Sequence, residues 1–469
     1  MKKFWIVGLL LVVAAVASSP YWLGEVARIG YTDQIHALSG LSGLPARVNR
    51  YDNGYLSASA ESTVTLPDPD STDGGTIDLV LDHTVRHGPV VLDGPGDGEP
   101  VFAAAVIETV PRLPEGLDTG LRANFGGELP VRLETVVDFS GNAITYLSGG
   151  PFASPGGNGA PGVTWEGFKG VMHVSRDGRA WRVEADAPAL RLTDDEERMA
   201  IIGIRLESNG VIADDGLYLG DGELHAGTLL FLGSPAHGVA GDFELRDVTI
   251  RSEQLPDGEE RLKYTLTLET GPGRADGSGF DSMEGEVRLQ GLDRATIAAL
   301  QKRLDAFEAA GGGLPDDWLA REIDAVIAEH GADFIAASPE LTIPRLGIVR
   351  NGERSDARLR LALKGEALAG ISPDVAMSQW ETLGPFLLLG AIEGELDLDV
   401  PGKLMDEALS SQTAIGAAEA GDVLESLVQQ GYVERSGGRV KTSVRLASGA
   451  ITLNDKPFNP LMLGGLAGE

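Results

Sequence analysis

Between residues 56 and 66 the chain alternates: Leu56, Ala58, Ala60, Val64 and Leu66 interleave with Ser57, Ser59, Glu61, Thr63 and Thr65. A period of two is the pattern of a strand with one buried face. The acidic turn PDPDSTDGG (67–75) follows. Then TIDLVLDHTVRH (76–87) sets Ile77, Leu79, Leu81, His83, Val85 and His87 on one face, with Asp78, Asp82, Thr84 and Arg86 opposite and Val80 the one apolar exception. From 100 to 275 the texture persists in short alternating segments such as 130–139, 170–186 and 241–250, punctuated by Gly, Pro and Asp. Asp177-Gly178 lies between two such runs and predicts a hairpin turn. The Gly/Pro-rich stretch 149–162 predicts an exposed loop.

Elsewhere the period changes. Residues 24–44 read as a helix with Val26, Ile29, Ile35 and Leu38 loosely on one side. After strand 285–290, a helix is predicted over about 293–310 from the stripe Ile297, Leu300, Leu304 and Phe307, and a second over about 316–330. Strands follow near 340–344 and 347–366, the latter turning at Asn351-Gly352. A mixed helical segment, a strand, two short helices and a closing hairpin (439–455) turning at Ser448-Gly449 complete the chain. EGEVRLQ (284–290) and EGELDLD (393–399) echo each other, each followed by a helix at the same distance, which suggests a repeated strand–helix unit. Together these patterns predict an α+β fold dominated by β, with extended antiparallel sheets, helices concentrated in the C-terminal half, and one N-terminal membrane helix. Three regions are expected: 1–23, a membrane anchor or signal; 24–278, β-rich; and 279–469, α+β.

The anchor rests on Lys2 and Lys3 followed by Phe4–Ala17, without a charged side chain, and by Tyr21, Trp22 and Leu23. About 20 apolar residues suffice to span a bilayer. The same stretch reads equally as a cleaved signal, with Ala15-Val16-Ala17 as the small-x-small site. On either reading the lysines mark the cytoplasmic side, and the bulk of the chain is expected in the periplasm.

Composition removes several chemistries. There is no cysteine, hence no disulfide, thiolate metal site, iron–sulfur cluster or thiol nucleophile. With 38 Lys+Arg against 70 Asp+Glu the net charge is −32, which repels phosphate backbones, so no nucleic-acid partner is expected. His83 and His87 match HxxxH, yet on a strand positions i and i+4 stand about 13 Å apart, too far to share a zinc with bonds of about 2 Å. The GNGAPG segment (157–162) formally matches GxGxxG but lacks the strand-then-helix setting that a dinucleotide needs. No GxSxG elbow exists, and the acidic loop with Asp68, Asp70 and Asp73 lacks EF-hand spacing. No catalytic, cofactor-binding or metal-binding residue is therefore assigned, and no cofactor is expected.

Several short motifs, in order, resemble the YdgA-like family of bacterial envelope proteins. They are Lys2-Lys3 with the apolar segment, Tyr51-Asp52-Asn53-Gly54-Tyr55-Leu56-Ser57, His87-Gly88-Pro89, and Ser448-Gly449-Ala450-Ile451-Thr452-Leu453-Asn454. Asn53 departs from the arginine often found before that glycine. The resemblance implies an inner-membrane protein with a large periplasmic part and brings no catalytic residues. The expected function is non-catalytic: a scaffold, assembly factor or carrier of an apolar ligand such as lipid. The expected partners are the inner membrane through residues 4–23 and a lipid or envelope protein, with homo-oligomerisation open. The alternative is a periplasmic hydrolase with a dispersed active site.

Overall fold

In the computed structural model the alternating segments are strands, and they pair antiparallel. The structure describes residues 24–25, 27–32, 35, 44–67, 75–95, 98–112, 131–154, 162–193, 198–232, 242–275, 277–309, 318–365, 390–405 and 417–458. Of these, 65% are strand and 16% helix, and a single antiparallel sheet takes 24 of the strands. This corrects the predicted α+β class with several sheets: one large sheet carries the fold and helices are few.

The error has a physical source, because glycines read as breakers lie inside long strands. At Gly220 a side-chain Cβ would meet the Asn209 carbonyl at 2.1 Å, so the missing side chain lets the backbones approach within a continuous strand. The predicted N-terminal membrane helix is also corrected. Among the described residues no helix is long and apolar enough to cross a membrane, and residues 4–23 lie outside the described residues.

Contacts divide the chain into two compact units. The first holds a meander of β1 (Ala46–Asn53), β2 (Ser57–Pro67), β3 (Thr76–His87), β4 (Ala105–Arg112), β5 (Val131–Val137), β6 (Ala143–Gly149), β7 (Phe168–Val174), β8 (Ala180–Thr193) and β9 (Arg198–Ile212). Each strand pairs with the next. From β9 a turn at 213–217 leads into β10 (Tyr218–Leu232).

Over one face of β1–β5 lies α1, helical in the described residues of 24–35. Its Ala27, Tyr31 and Ile35, spaced by four, pack on Ala58, Ala60, Val85, Ala105, Ile107 and Val137. Alanines on β2 and β4 keep the sheet low there, which leaves room for the Tyr31 ring. Ile29, placed by the sequence pattern loosely on one side with Ile35, is 44% exposed. Leu56, predicted inside strand 56–66, precedes β2 and is exposed.

The second unit is another meander: β11 (Phe243–Pro256), β12 (Arg261–Thr270), β13 (Ser282–Asp293), β14 (Glu340–Arg350), β15 (Glu353–Leu363), β16 (Ile392–Pro401), β17 (Arg439–Ala447) and β18 (Ala450–Leu453). The later helices are α2 (Arg294–Ala309), α3 (Trp318–Ala336) and α4 (Ala417–Gln430), of which residues 301–321 group with the first unit and the rest with the second. Asp293 caps α2, its Oδ2 accepting from the Thr296 amide at 2.7 Å and hydroxyl at 2.6 Å. The echoed EGE segments are the corresponding stretches of β13 and β16, each followed directly by helix.

Candidate functional site

Both histidines of the HxxxH match lie on β3, buried and facing α1's side of the sheet. Register explains what surrounds His83. It stands opposite Ala60 on β2 and Thr109 on β4, with Ser62 one diagonal step away. Its Nε2 lies 2.8 Å from Ser62 Oγ and its Nδ1 2.8 Å from Thr109 Oγ1. Tyr31 of α1 meets the ring edge-on at 5.0 Å and 71°. His87 has separate neighbours: its Nδ1 lies 3.4 Å from the Tyr55 carbonyl, and the backbone of Gly24 sits so close that a Cβ there would come within 2.7 Å of Cε1. Among the described residues no three His, Asp or Glu side chains gather as a metal-ligand set.

Burial pushes His83 down to about 4, against a weaker upward pull from Asp82. The ring is thus neutral near pH 7, donating from one nitrogen and accepting at the other, and the two hydroxyls can satisfy both roles. Burial likewise lowers His87, with the Tyr55 carbonyl opposing. Tyr31 and Tyr51 are raised to about 12, mainly by burial, and stay protonated. Among the described residues the Tyr51 hydroxyl has no hydrogen-bond partner, while that of Tyr31 adjoins Ser62.

A serine hydroxyl 2.8 Å from an imidazole has the spacing of a nucleophile and its base. The setting opposes that chemistry. Ser62 is 0% exposed, so no substrate carbonyl reaches it. The third partner is a hydroxyl, which cannot stabilise an imidazolium as a carboxylate does, and the ring is held neutral. Ser62, His83 and Thr109 form a polar pin under α1. Sequence pattern places His83 on this face but not its hydroxyl partners, since those depend on the registers of three strands.

The other sequence candidates are not assembled either. GNGAPG leads into a strand, Gly162–Trp165, and not into a helix. The acidic loop with Asp68, Asp70 and Asp73 lies outside the described residues. A groove of about 680 Å³ opens on the polar side of the first sheet, with Glu134, Glu184, Asp186 and Lys169 in its lining. Among the described residues that line it there is no histidine.

The more extensive feature is the two-sidedness of the second unit. Cross-strand pairing puts Leu266, Val287, Leu289, Leu341, Leu359, Leu361, Leu396, Leu398, Val444, Leu446, Ile451 and Leu453 on one face of β12–β18. Six inter-strand steps of about 4.8 Å make this apolar band roughly 29 Å wide. The band is incompletely covered: Leu361, in the middle of the sheet, is 37% exposed, and Leu346, between Gly285 and Ala357, is 47% exposed.

The opposite face is charged and cross-linked between strands. Arg345 reaches Glu284 at 3.3 Å, Arg360 reaches Glu340 at 2.6 Å, Arg439 reaches Asp399 at 2.5 Å and Arg445 reaches Glu395 at 3.3 Å, while Arg354 pairs with Glu284. Pairing these charges keeps that face in water and fixes the register that exposes leucine on the other.

The class defined is a long antiparallel meander with an apolar face, backed by an ion-paired face and free of a convergent catalytic cluster among the described residues. The family model of DUF945, a bacterial protein of unknown function, matches residues 1–460, and the chain belongs to that family. No curated protein matches the chain, and no solved structure does.

Proposed function

We propose that the chain is a non-catalytic envelope protein of the YdgA-like kind, attached to the inner membrane through residues 4–23, whose sheet carries acyl chains on its apolar face. The observation behind the reading is the incompletely covered leucine band of β12–β18. Monomeric proteins seldom leave apolar side chains contiguous and accessible over such a width without a ligand or partner. The width is close to the ~30 Å of a bilayer's hydrocarbon core, so it can hold an extended acyl chain. The absence of lysine-rich stretches agrees with recognition by the tails of a lipid and not by its phosphate.

The test is extraction of the purified full chain with organic solvent, followed by mass spectrometry. Lipid should be present and should fall several-fold in Leu361→Glu, with β-sheet content unchanged by circular dichroism. Equal lipid in both proteins would remove the carrier reading. Location is tested separately by fractionation and N-terminal sequencing. A soluble species beginning at Ser18 would leave export and remove the attachment.

A further inference from the structure

One end of the first unit carries a second apolar surface, unrelated to the leucine band. Hydrogen bonds collect its loops. The His87 amide donates to the Leu56 carbonyl at 2.9 Å, and the Gly88 amide to Ala104 at 2.7 Å. Val90 pairs with Phe102, whose ring lies 4.9 Å from that of Phe139 in the β5–β6 turn. Tyr55, Leu56, Val90, Leu92, Phe102 and Phe139 are all exposed there, Leu92 at 76% and Phe102 at 73%. Scattered exposed leucines need no explanation, but six large apolar side chains on neighbouring loops do.

The position of α1 gives the reason. Gly24 sits against His87 and Asn53 of this same loop cluster. The 23 residues that precede it, 4–23 being uninterruptedly uncharged, therefore join the fold beside the patch. We infer that these loops dock on the bilayer surface next to that junction, with Leu92 and Phe102 entering the interface. The exposed carboxylates nearby, Asp52 and Asp93, the latter paired with Arg86 at 2.6 Å, do not attract anionic headgroups. The contact is thus apolar burial of the kind made by interfacial segments. It rests on the reading that residues 4–23 lie at the membrane and is independent of acyl-chain carriage.

The chain has no cysteine, so single substitutions accept one nitroxide label each. The full-length variants Leu92→Cys, Phe102→Cys and Thr76→Cys are reconstituted into vesicles of phosphatidylethanolamine with a minor share of phosphatidylglycerol. Thr76 is exposed at the far end of β3, eleven residues and about 36 Å from His87. Collision with oxygen, which concentrates in the bilayer, is compared with collision with a water-soluble nickel chelate. The oxygen-to-nickel ratio should be several-fold higher at 92 and 102 than at 76. Equal ratios at all three positions would overturn the inference. An aqueous label in Val12→Cys would overturn it through its premise. Loss of the carrier reading in the extraction experiment would leave a high ratio at 92 and 102 standing.

Discussion

Acidification is the sharpest perturbation of the polar pin under α1. His83 is held at about 4 in the fold, against about 6.5 in an unfolded chain. Between those values the unfolded state binds more protons than the folded one, so stability is complete above pH 6.5 and is lost as pH falls toward 4. The full difference of about 2.5 pK units corresponds to roughly 3 kcal/mol; between pH 7 and pH 4.5 it amounts to slightly more than ~2 kcal/mol, or about sixty-fold in an opening equilibrium.

Because the chain has two units, amide hydrogen exchange over β2, β3 and β4 reports this better than a global melt. After correction for intrinsic rates, protection there should fall about sixty-fold over that pH range. His83→Gln keeps a donor and an acceptor for Ser62 and Thr109 but does not titrate. Its fall should be much smaller, the remainder including His87. Identical pH slopes in the two proteins would refute the assignment of a neutral, buried His83.

Tyr31→Ala should release α1 at a cost of about 3–5 kcal/mol, seen as faster exchange in β2–β4 and new proteolysis near residue 35. Gly88→Ala would place a Cβ 1.7 Å from the Ala103 carbonyl and should cost on the order of 3 kcal/mol, read by denaturant unfolding. Gly352→Ala, at φ +76° in open space, should cost only about 1 kcal/mol. Arg354→Ala removes partly exposed pairs with Glu284 and Asp356 and should change stability by less than about 1 kcal/mol. Elemental analysis of the dialysed protein should find no stoichiometric zinc; one zinc per chain, lost in His87→Ala, would contradict the strand geometry.

Much of this fold is legible in local pattern. The alternation over 76–87 gives β3 with its buried face, and Asp177-Gly178, Asn351-Gly352 and Ser448-Gly449 all turn hairpins. Positive φ at Gly178, Asn351, Gly352, Ser448 and Gly449 shows why those residues stand there. The stripe from Ile297 to Phe307 gives α2 to within a residue of each predicted end.

Strand length is not legible, since Gly210 resembles a break until the Leu219 carbonyl and the Trp181 ring are known to need the space. Nor is the inner face of α1: Val26, Ile29 and Ile35 fit a helical stripe loosely, while Ala27 and Tyr31, which share the buried side with Ile35, gain their role only from the alanines beneath. The polar pin needs β2, β3 and β4 in register. The leucine band could be approached from the two EGE echoes, because Gly285/Val287/Leu289 and Gly394/Leu396/Leu398 repeat the same facing order. That both occupy one sheet emerges only from long-range pairing.

The two faces of β15 offer the most direct measurement of acyl-chain carriage. Leu359 lies on the leucine band and Arg358, its neighbour, on the charged face. A photoreactive phenylalanine analogue is placed at each position in the full chain, expressed in bacteria and irradiated in intact cells. The purified protein is then examined by mass spectrometry. Acyl-chain carriage gives a phospholipid adduct at position 359 and none, or far less, at position 358. Absence of lipid adduct at 359, or equal adducts at both positions, would contradict it.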